Sequence, residues 1–355
     1  MKKLIALLLA LVMVAGLVAC GAKEEAAAPA ATEAAPAATE AAPAEKAEEA
    51  APAEGEYKYK VAFCTISVAN DTMVNQADNM VAYGKQHGVE VVVFDNKADA
   101  QQVLQNAEII ARDGTYDGVL NFNVDASISE TLMGIYNDAG LKVISIDVEH
   151  PGSPFFGADN YKCGQLCGEF VVDYIKTNWN GELDAIFVAD QVPAGDLPRQ
   201  RVLNALPYIS EGLGVNAEEI AYILDCKDSM QVQTDFASYL QANPDADQIA
   251  AICLTEDYAL GVQAAAAAAG REDQVVCVTN NEDFTISQWE EENEESCVKA
   301  CISFTFTHYG KWLIPAMVEL LETGSVADYT YVGHEVITRD NMAAYRAEYP
   351  SRLEG

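Results

Sequence analysis

Beyond residue 57 the chain alternates short, wholly apolar runs with stretches of helical period, and this alternation restricts the fold more than any single motif does. Tyr59 to Ile66, Val89 to Phe94, Asp117 to Phe122 and Leu141 to Ile146 have the length and apolar content of strands. Between them lie helical stretches, about Thr72 to His87, Ala98 to Asp113 and Ser127 to Ala139, each followed by a glycine: Gly88, Gly114 and Gly140. A strand that is apolar throughout must be covered on both faces, and a helix between two such strands returns the second parallel to the first. The spacing predicts a parallel sheet sandwiched between helices.

The same rhythm then restarts. Helices over Cys163 to Thr177, Pro198 to Gly212, Met230 to Asn243, Ala259 to Ala269 and Phe284 to Glu292 alternate with strands Ala185 to Ala189, Ile220 to Leu224, Ile249 to Leu254, Gln274 to Thr279 and Cys297 to Phe306. A last helix runs from about Tyr309 to Glu322 and closes at Gly324. The roughly 300 residues from 57 onward exceed what one hydrophobic core usually serves. The expected fold is α/β, with two doubly wound parallel-sheet lobes of similar size.

Open sheets of this kind bind ligands beyond the carboxyl ends of their strands, and two such lobes turn those ends toward a common cleft. The strand-end segments are Ser67 to Asn70, Asn121-Phe122-Asn123, Asp147, Asp196 to Arg199, Thr255 to Asp257, Asn280-Asn281 and Ser303 to Thr305. Amides, carboxylates, hydroxyls and a guanidinium pair well with vicinal hydroxyls, and an aromatic face covers the apolar side of a sugar ring. Tyr258, Trp289, Phe155, Phe304 and Phe306 are the aromatic candidates.

The N-terminus reports on location. Lys2 and Lys3 precede an apolar run from Leu4 to Leu17, and Leu17-Val18-Ala19-Cys20 follows. A basic start, an apolar run and small residues make an export leader, and the run is shorter than the ~20 residues a transmembrane helix needs. The Leu-Val-Ala-Cys ending resembles the lipobox of bacterial lipoproteins, which implies cleavage before Cys20 and lipidation of its thiol. Residues 21–56 are Ala-, Pro- and Glu-rich, with Pro29, Pro36 and Pro43 interrupting any helix. They read as a disordered tether with an extended limit of ~110 Å at about 3.1 Å per residue.

Charge and cysteine content narrow the function. Residues 57 to 355 carry 46 acidic and 17 basic side chains, a balance that opposes nucleic acid and anionic membrane surfaces. Eight cysteines follow Cys20, several within apolar runs, and neither 163/167 nor 297/301 has zinc-knuckle spacing. They read as free, mostly buried thiols. With four scattered histidines, at 87, 150, 308 and 334, no metal cluster is expected. No phosphate loop, nucleophile elbow or His-carboxylate constellation suggests catalysis or a cofactor.

The ordered motifs Lys60-Val61-Ala62-Phe63, Asp117-Gly118-Val119-Leu120, Ile144-Ser145-Ile146-Asp147, Phe156-Gly157-Ala158-Asp159-Asn160-Tyr161, Pro198-Arg199-Gln200-Arg201 and Tyr258-Ala259-Leu260-Gly261 resemble the type 1 periplasmic sugar-binding proteins, the ribose and galactose group. The resemblance covers residues 58 to about 340. It implies three crossings between the lobes, one lobe spanning 57–161 plus 305–333 and the other 162–304 plus 334–355. It also implies ligand contacts at Asn70, Asp147, Arg199, Thr255, Asn280 (or Thr279 beside it) and Phe304, with Asp196 and Asp257 beside them at the strand ends. Helix capping for Asn70, a turn carboxylate for Asp147 and a solvated helix-start charge for Arg199 remain alternative readings. The chain departs from the ribose pattern at Thr72-Met73, where an aromatic pair is usual, and at Val148, where arginine is usual.

The implied protein is an extracytoplasmic, lipid-anchored monomer in a bacterium, with no cofactor. It takes up a small polar solute, a sugar or polyol, by hinge closure and delivers it to an ABC importer. A sensor that presents its ligand to a membrane receptor, or a binder of nucleosides or another non-sugar solute, is the alternative.

Overall fold

The computed structural model describes residues 39–40, 57–291 and 296–353. The leader, Cys20 and, apart from the backbone of two residues, the tether lie outside the described residues.

The first sheet contains seven strands, in the order β1-β12-β6-β5-β4-β2-β3. In chain order they are β1 (Thr39–Glu40), β2 (Tyr59–Thr65), β3 (Val89–Asp95), β4 (Gly118–Asn121), β5 (Lys142–Ile146) and β6 (Phe155–Gly157), and β12 (Tyr329–Tyr331) returns late in the chain. All its pairings are parallel. Helices α1 (Asp71–Gln86), α2 (Ala100–Asp113) and α3 (Ser129–Asp138) connect its strands, and each starts where the sequence offers a cap or polar turn. Asn70 accepts from the Met73 N–H and Asp99 from the Gln102 N–H, filling two of the helix-start donors that have no intrahelical partner.

The second sheet runs β13-β11-β10-β9-β7-β8. Helix α4 (Asn160–Asn178) leads into β7 (Ala185–Asp190), followed by α5 (Asp196–Leu203), α6 (Ala205–Leu213), α7 (Ala217–Ile220), β8 (Ala221–Asp225), α8 (Ser229–Ala242), β9 (Ile249–Cys253), α9 (Glu256–Ala269), β10 (Val275–Asn280), α10 (Asp283–Glu291) and β11 (Val298–Ser303). The chain then returns to the first sheet through α11 (Gly310–Thr323) and β12, and comes back as β13 (Glu335–Ile337) and α12 (Met342–Glu348). Every pairing is parallel except β13 on β11. Every residue of β7, β9 and β10 is buried, as the continuous apolar runs require of central parallel strands.

The helix read over Pro198 to Gly212 divides at Asn204 into α5 and α6. Pro207 lacks the N–H a continuous helix would use, and its ring would strike the carbonyl of Leu203. The strand read to Phe306 ends at Ser303, and Thr305 turns into the left-handed region at φ 52°. Among the close approaches that glycine secures, two lie beside the first crossing. A Cβ on Gly157 would stand 2.4 Å from Oδ1 of Asp147, and one on Gly164 of α4 would stand 2.2 Å from the Gln200 carbonyl of α5. These contacts seat β6 against the end of β5 and α5 against α4.

The chain passes between the sheets three times, from β6 to α4, from β11 to α11 and from β12 to β13. The eight cysteines from Cys64 onward are buried and none forms a disulfide. Among the described residues no helix is long and apolar enough to cross a membrane.

Candidate functional site: the cleft between the sheets

Beside the first crossing Asp147 follows β5 with φ 56°, a conformation that costs a non-glycine residue strain and is held here by two groups. Its Oδ1 accepts from the Ala158 N–H at 2.9 Å, and the Tyr309 hydroxyl donates to both carboxylate oxygens at 3.0 and 3.2 Å. Burial pushes its pKa up, while the Arg201 charge and these donors pull it back. Asp147 thus joins β5, the first crossing and the start of the segment leading into α11.

Arg201 comes to the same place from the other lobe. Its guanidinium lies over the ring of Phe304, 4.7 Å from the centroid, and its Nε donates to Asn160 Oδ1 at 2.6 Å. Phe304 is wholly buried at the second crossing, against Phe306, Tyr309 and His334. His334, on the third crossing, accepts the Asp159 N–H, and burial pushes its pKa down to about 4. Asn280 closes β10, buried, donating to the carbonyls of Cys253 at 3.1 Å and Arg201 at 3.5 Å. Arg201 therefore gathers Asp147, Asn280 and Phe304, three of the residues expected at a binding site.

The remaining candidates lie elsewhere, Arg199 among them. Its Nε and one terminal nitrogen bind Asp190 Oδ2 at 2.8 and 2.7 Å, and Asp196 lies 3.8 Å away. Two positions apart on a helix point about 200° apart, so Arg199 turns to the end of β7 while Arg201 turns to the crossings. Asp196 is fully exposed at the start of α5. Asp257 is exposed and accepts the Ser229 N–H at the start of α8. Thr255 precedes α9 as its N-cap residue without a side-chain capping bond, and Asn70 is the exposed N-cap of α1. Of the aromatic candidates, Phe304 and Phe306 stand at the second crossing; Tyr258 is core and hydrogen-bonded to the Cys226 carbonyl, and Phe155 packs on Tyr329 and Tyr331. Trp289 is buried within the second lobe.

The two lobes also touch directly, through a helix face that the sequence did not single out. Along α1 the side chains at 72, 75, 76 and 79 form one polar stripe, the spacing of a single helix face. Thr72 donates to Glu256 Oε1 at 3.0 Å, Asn75 to Asp283 Oδ2 at 2.8 Å, and Gln76 to the Phe306 carbonyl at 3.2 Å. Glu256 Oε2 accepts the N–H groups of Phe284 and Thr285 at 3.0 and 3.1 Å, capping α10 from α9. Burial raises its pKa to about 7 against these stabilising donors. Glu282 accepts the Phe306 N–H at 3.1 Å, and burial, reinforced by Glu256 and Asp283, raises its pKa to about 8. A polar helix face that is buried would have been the signal in the sequence.

Both side-chain atoms of Asn121, together with Asn280 Oδ1, Asn281 Oδ1 and Gln76 Oε1, are buried without a protein partner. Leaving such a group unpaired costs about 1–3 kcal/mol. Asn121 and Asn280 are the last residues of β4 and β10, one from each sheet. Polar groups without partners at the carboxyl ends of strands from both sheets are suited to hydrogen-bonding a small polyfunctional molecule.

A family model described as a periplasmic binding protein domain matches residues 61–325. The chain belongs to this family. As a member it is an extracytoplasmic solute-binding protein and not an enzyme. A D-ribose/D-allose-binding protein of Pseudomonas aeruginosa is 24% identical over 241 residues, covering 64% of this chain and 72% of that protein. Among solved structures, a periplasmic solute-binding protein from Actinobacillus succinogenes with bound D-allose superposes with a TM-score of 0.68 at 16% identity, over 81% of this chain and all of the other. One from Bacillus halodurans with bound myo-inositol gives 0.65 at 16% identity, over 84% of this chain and all of the other. At such identity the structural likeness speaks for the fold: two parallel-dominated sheets flanked by helices.

Proposed function

We propose that this periplasmic binding protein captures a sugar or polyol between its two lobes by hinge closure and delivers it to an ABC importer. The observation that carries this reading is the set of buried amide atoms without protein partners, both side-chain atoms of Asn121 on one lobe with Asn280 Oδ1 and Asn281 Oδ1 on the other, together with the guanidinium of Arg201 laid over the ring of Phe304. Amides that both donate and accept suit vicinal hydroxyls, and an arginine can fork onto neighbouring oxygens. The relatives with bound D-allose, allitol and myo-inositol support the same ligand class. Residues 57–161 with 305–333 act as one body and residues 162–304 with 334–349 as the other. Ligand stabilises the closed form by binding it better than the open one.

The test is a thermal-shift panel of sugars, polyols, nucleosides and amino acids on the protein without its leader. At 100 times its dissociation constant a binder adds about 2.7 kcal/mol of stability. A shift with D-allose, allitol, myo-inositol or another polyol supports the reading; a shift confined to nucleosides or amino acids ends it. The leader and tether extend the proposal to a monomer lipidated at Cys20 and held on the outer face of the cell membrane. Cys20→Ala should then release the protein from the membrane fraction.

A further inference from the structure

Three crossings join the lobes, yet the chain makes a fourth connection after α12. Helix α12 is fastened to the second lobe: Arg346 donates to Asp283 Oδ1 at 2.6 Å and approaches Glu290 at 3.8 Å, and Ser303 bonds the Tyr345 hydroxyl at 2.7 Å. Residues 350–353, which the resemblance assigned to that same lobe, instead lie along α1 of the first. The buried Asn79 donates to the Ser351 carbonyl at 3.1 Å and accepts the Leu353 N–H at 2.8 Å. Arg352 binds Asn75 Oδ1 at 2.8 Å and Asp78 at 3.0 Å, and His308, just before α11, bonds the Pro350 carbonyl at 2.7 Å.

Asn75 completes the connection. One end of its amide accepts from Arg352 of the tail while the other donates to Asp283, the residue that anchors α12. Arg346, Asp283, Asn75, Arg352 and Asp78 thus form one continuous line of hydrogen-bonded groups across the lobe boundary. The same face of α1 carries Thr72 and Gln76, which hold Glu256 and the second crossing.

We propose that the segment Pro350–Leu353 is a strap that holds the two lobes closed. Opening the cleft separates α1 from α9 and α10, so a tail fixed to α12 at one end and α1 at the other must either detach or stretch. This inference rests on the hinge-closure reading. The exposed Arg352–Asp78 pair adds little, and the strap's grip comes from the buried Asn79 and the bracketed Asn75.

The experiment uses ligand-free protein, full-length against a variant ending at Tyr349. A second variant, Arg352→Ala with Leu353→Pro, removes the Arg352 contacts and the Leu353 N–H while keeping chain length. Solution scattering should give a larger radius of gyration for both variants. Amides of residues 72–79 and 284–285 should exchange about tenfold faster with solvent, the effect of losing one to two net hydrogen bonds. Scattering curves and exchange rates identical to the parent in either folded variant overturn the strap. Hinge closure has a separate readout: if a panel compound raises the melting temperature of the full chain without slowing amide exchange at residues 72–79 and 284–285, closure fails whichever way the truncation falls.

Discussion

The two lobes face each other with different chemistry. The first lobe's α1 and β4 bring neutral groups: Thr72, Asn75, Gln76, Asn79 and Asn121. The second brings charge: Arg201, Glu256, Glu282 and Asp283. Neutral amides and hydroxyls lose little when water leaves, provided they find partners, whereas a carboxylate without a cation resists burial until it takes a proton. The burden of closing the cleft therefore falls on the second lobe, and so does sensitivity to pH. Asp147 is the first lobe's exception, and it is held at the crossing by Tyr309 and Ala158.

Within the second lobe the sharpest contrast is between two arginines of one helix. Arg199→Ala leaves Asp190, which is wholly buried, without its cation. Stability should fall by about 3 kcal/mol, read by denaturant unfolding. Arg201→Ala should cost less, about 1–2 kcal/mol for the donor that Asn160 and the cation that Phe304 lose, and should in addition weaken ligand binding by about 100-fold, the scale of one or two charge-assisted hydrogen bonds, read by calorimetry with the best compound of the panel. Similar stability losses with undiminished binding would place Arg201 among structural residues and move the site elsewhere.

The charge difference between the lobes predicts a pH dependence whose sign follows from Glu282 and Glu256. Their folded pKa values, about 8 and about 7, lie above the ordinary 4.5. The folded state thus holds extra protons, and the stability these groups permit at low pH is lost as pH rises through 7 and 8. His150 and His334, both pushed down to about 4 by burial, act oppositely below their ordinary 6.5. Between pH 6.5 and 8.5 the glutamates govern, and melting scans should show a decline worth about 2 kcal/mol. Glu282→Gln, which keeps an acceptor for the Phe306 N–H, should flatten most of it; an unchanged slope would mean that Glu282 is solvated in solution.

The neutral side should respond more gently. Thr72→Val removes the hydroxyl that reaches Glu256 and keeps the shape of the side chain. A loss of about 1 kcal/mol in closed-state stability is expected, visible as a fewfold weaker ligand affinity. An effect as large as that of Arg201→Ala would contradict the division of labour between the lobes.

Much of the fold was legible because parallel strands buried on both faces leave an unmistakable apolar rhythm. The strands from Tyr59 to Ile146 and from Ala185 to Thr279 lie close to where the sequence put them. The short strands β6, β12 and β13 carried too few residues for a period to show, and the break at Asn204 depended on a proline three residues later. In the candidate site, strand ends pointed to Asp147, Asn280 and Phe304. Arg199 and Arg201, two positions apart on one helix, could not be told apart without knowing which side of α5 meets the crossings.

Sequence by itself determined two doubly wound lobes, the acidic character of the domain and the polar content of the strand ends, because these depend on local period and composition. Tertiary structure alone decided which side chains share a place. Arg201 meets Phe304, Thr72 meets Glu256 across 184 positions, and Asn79 meets Ser351 across 272. Contacts over such separations arise when the lobes and the tail dock as surfaces, and no local pattern encodes the register of one surface on another.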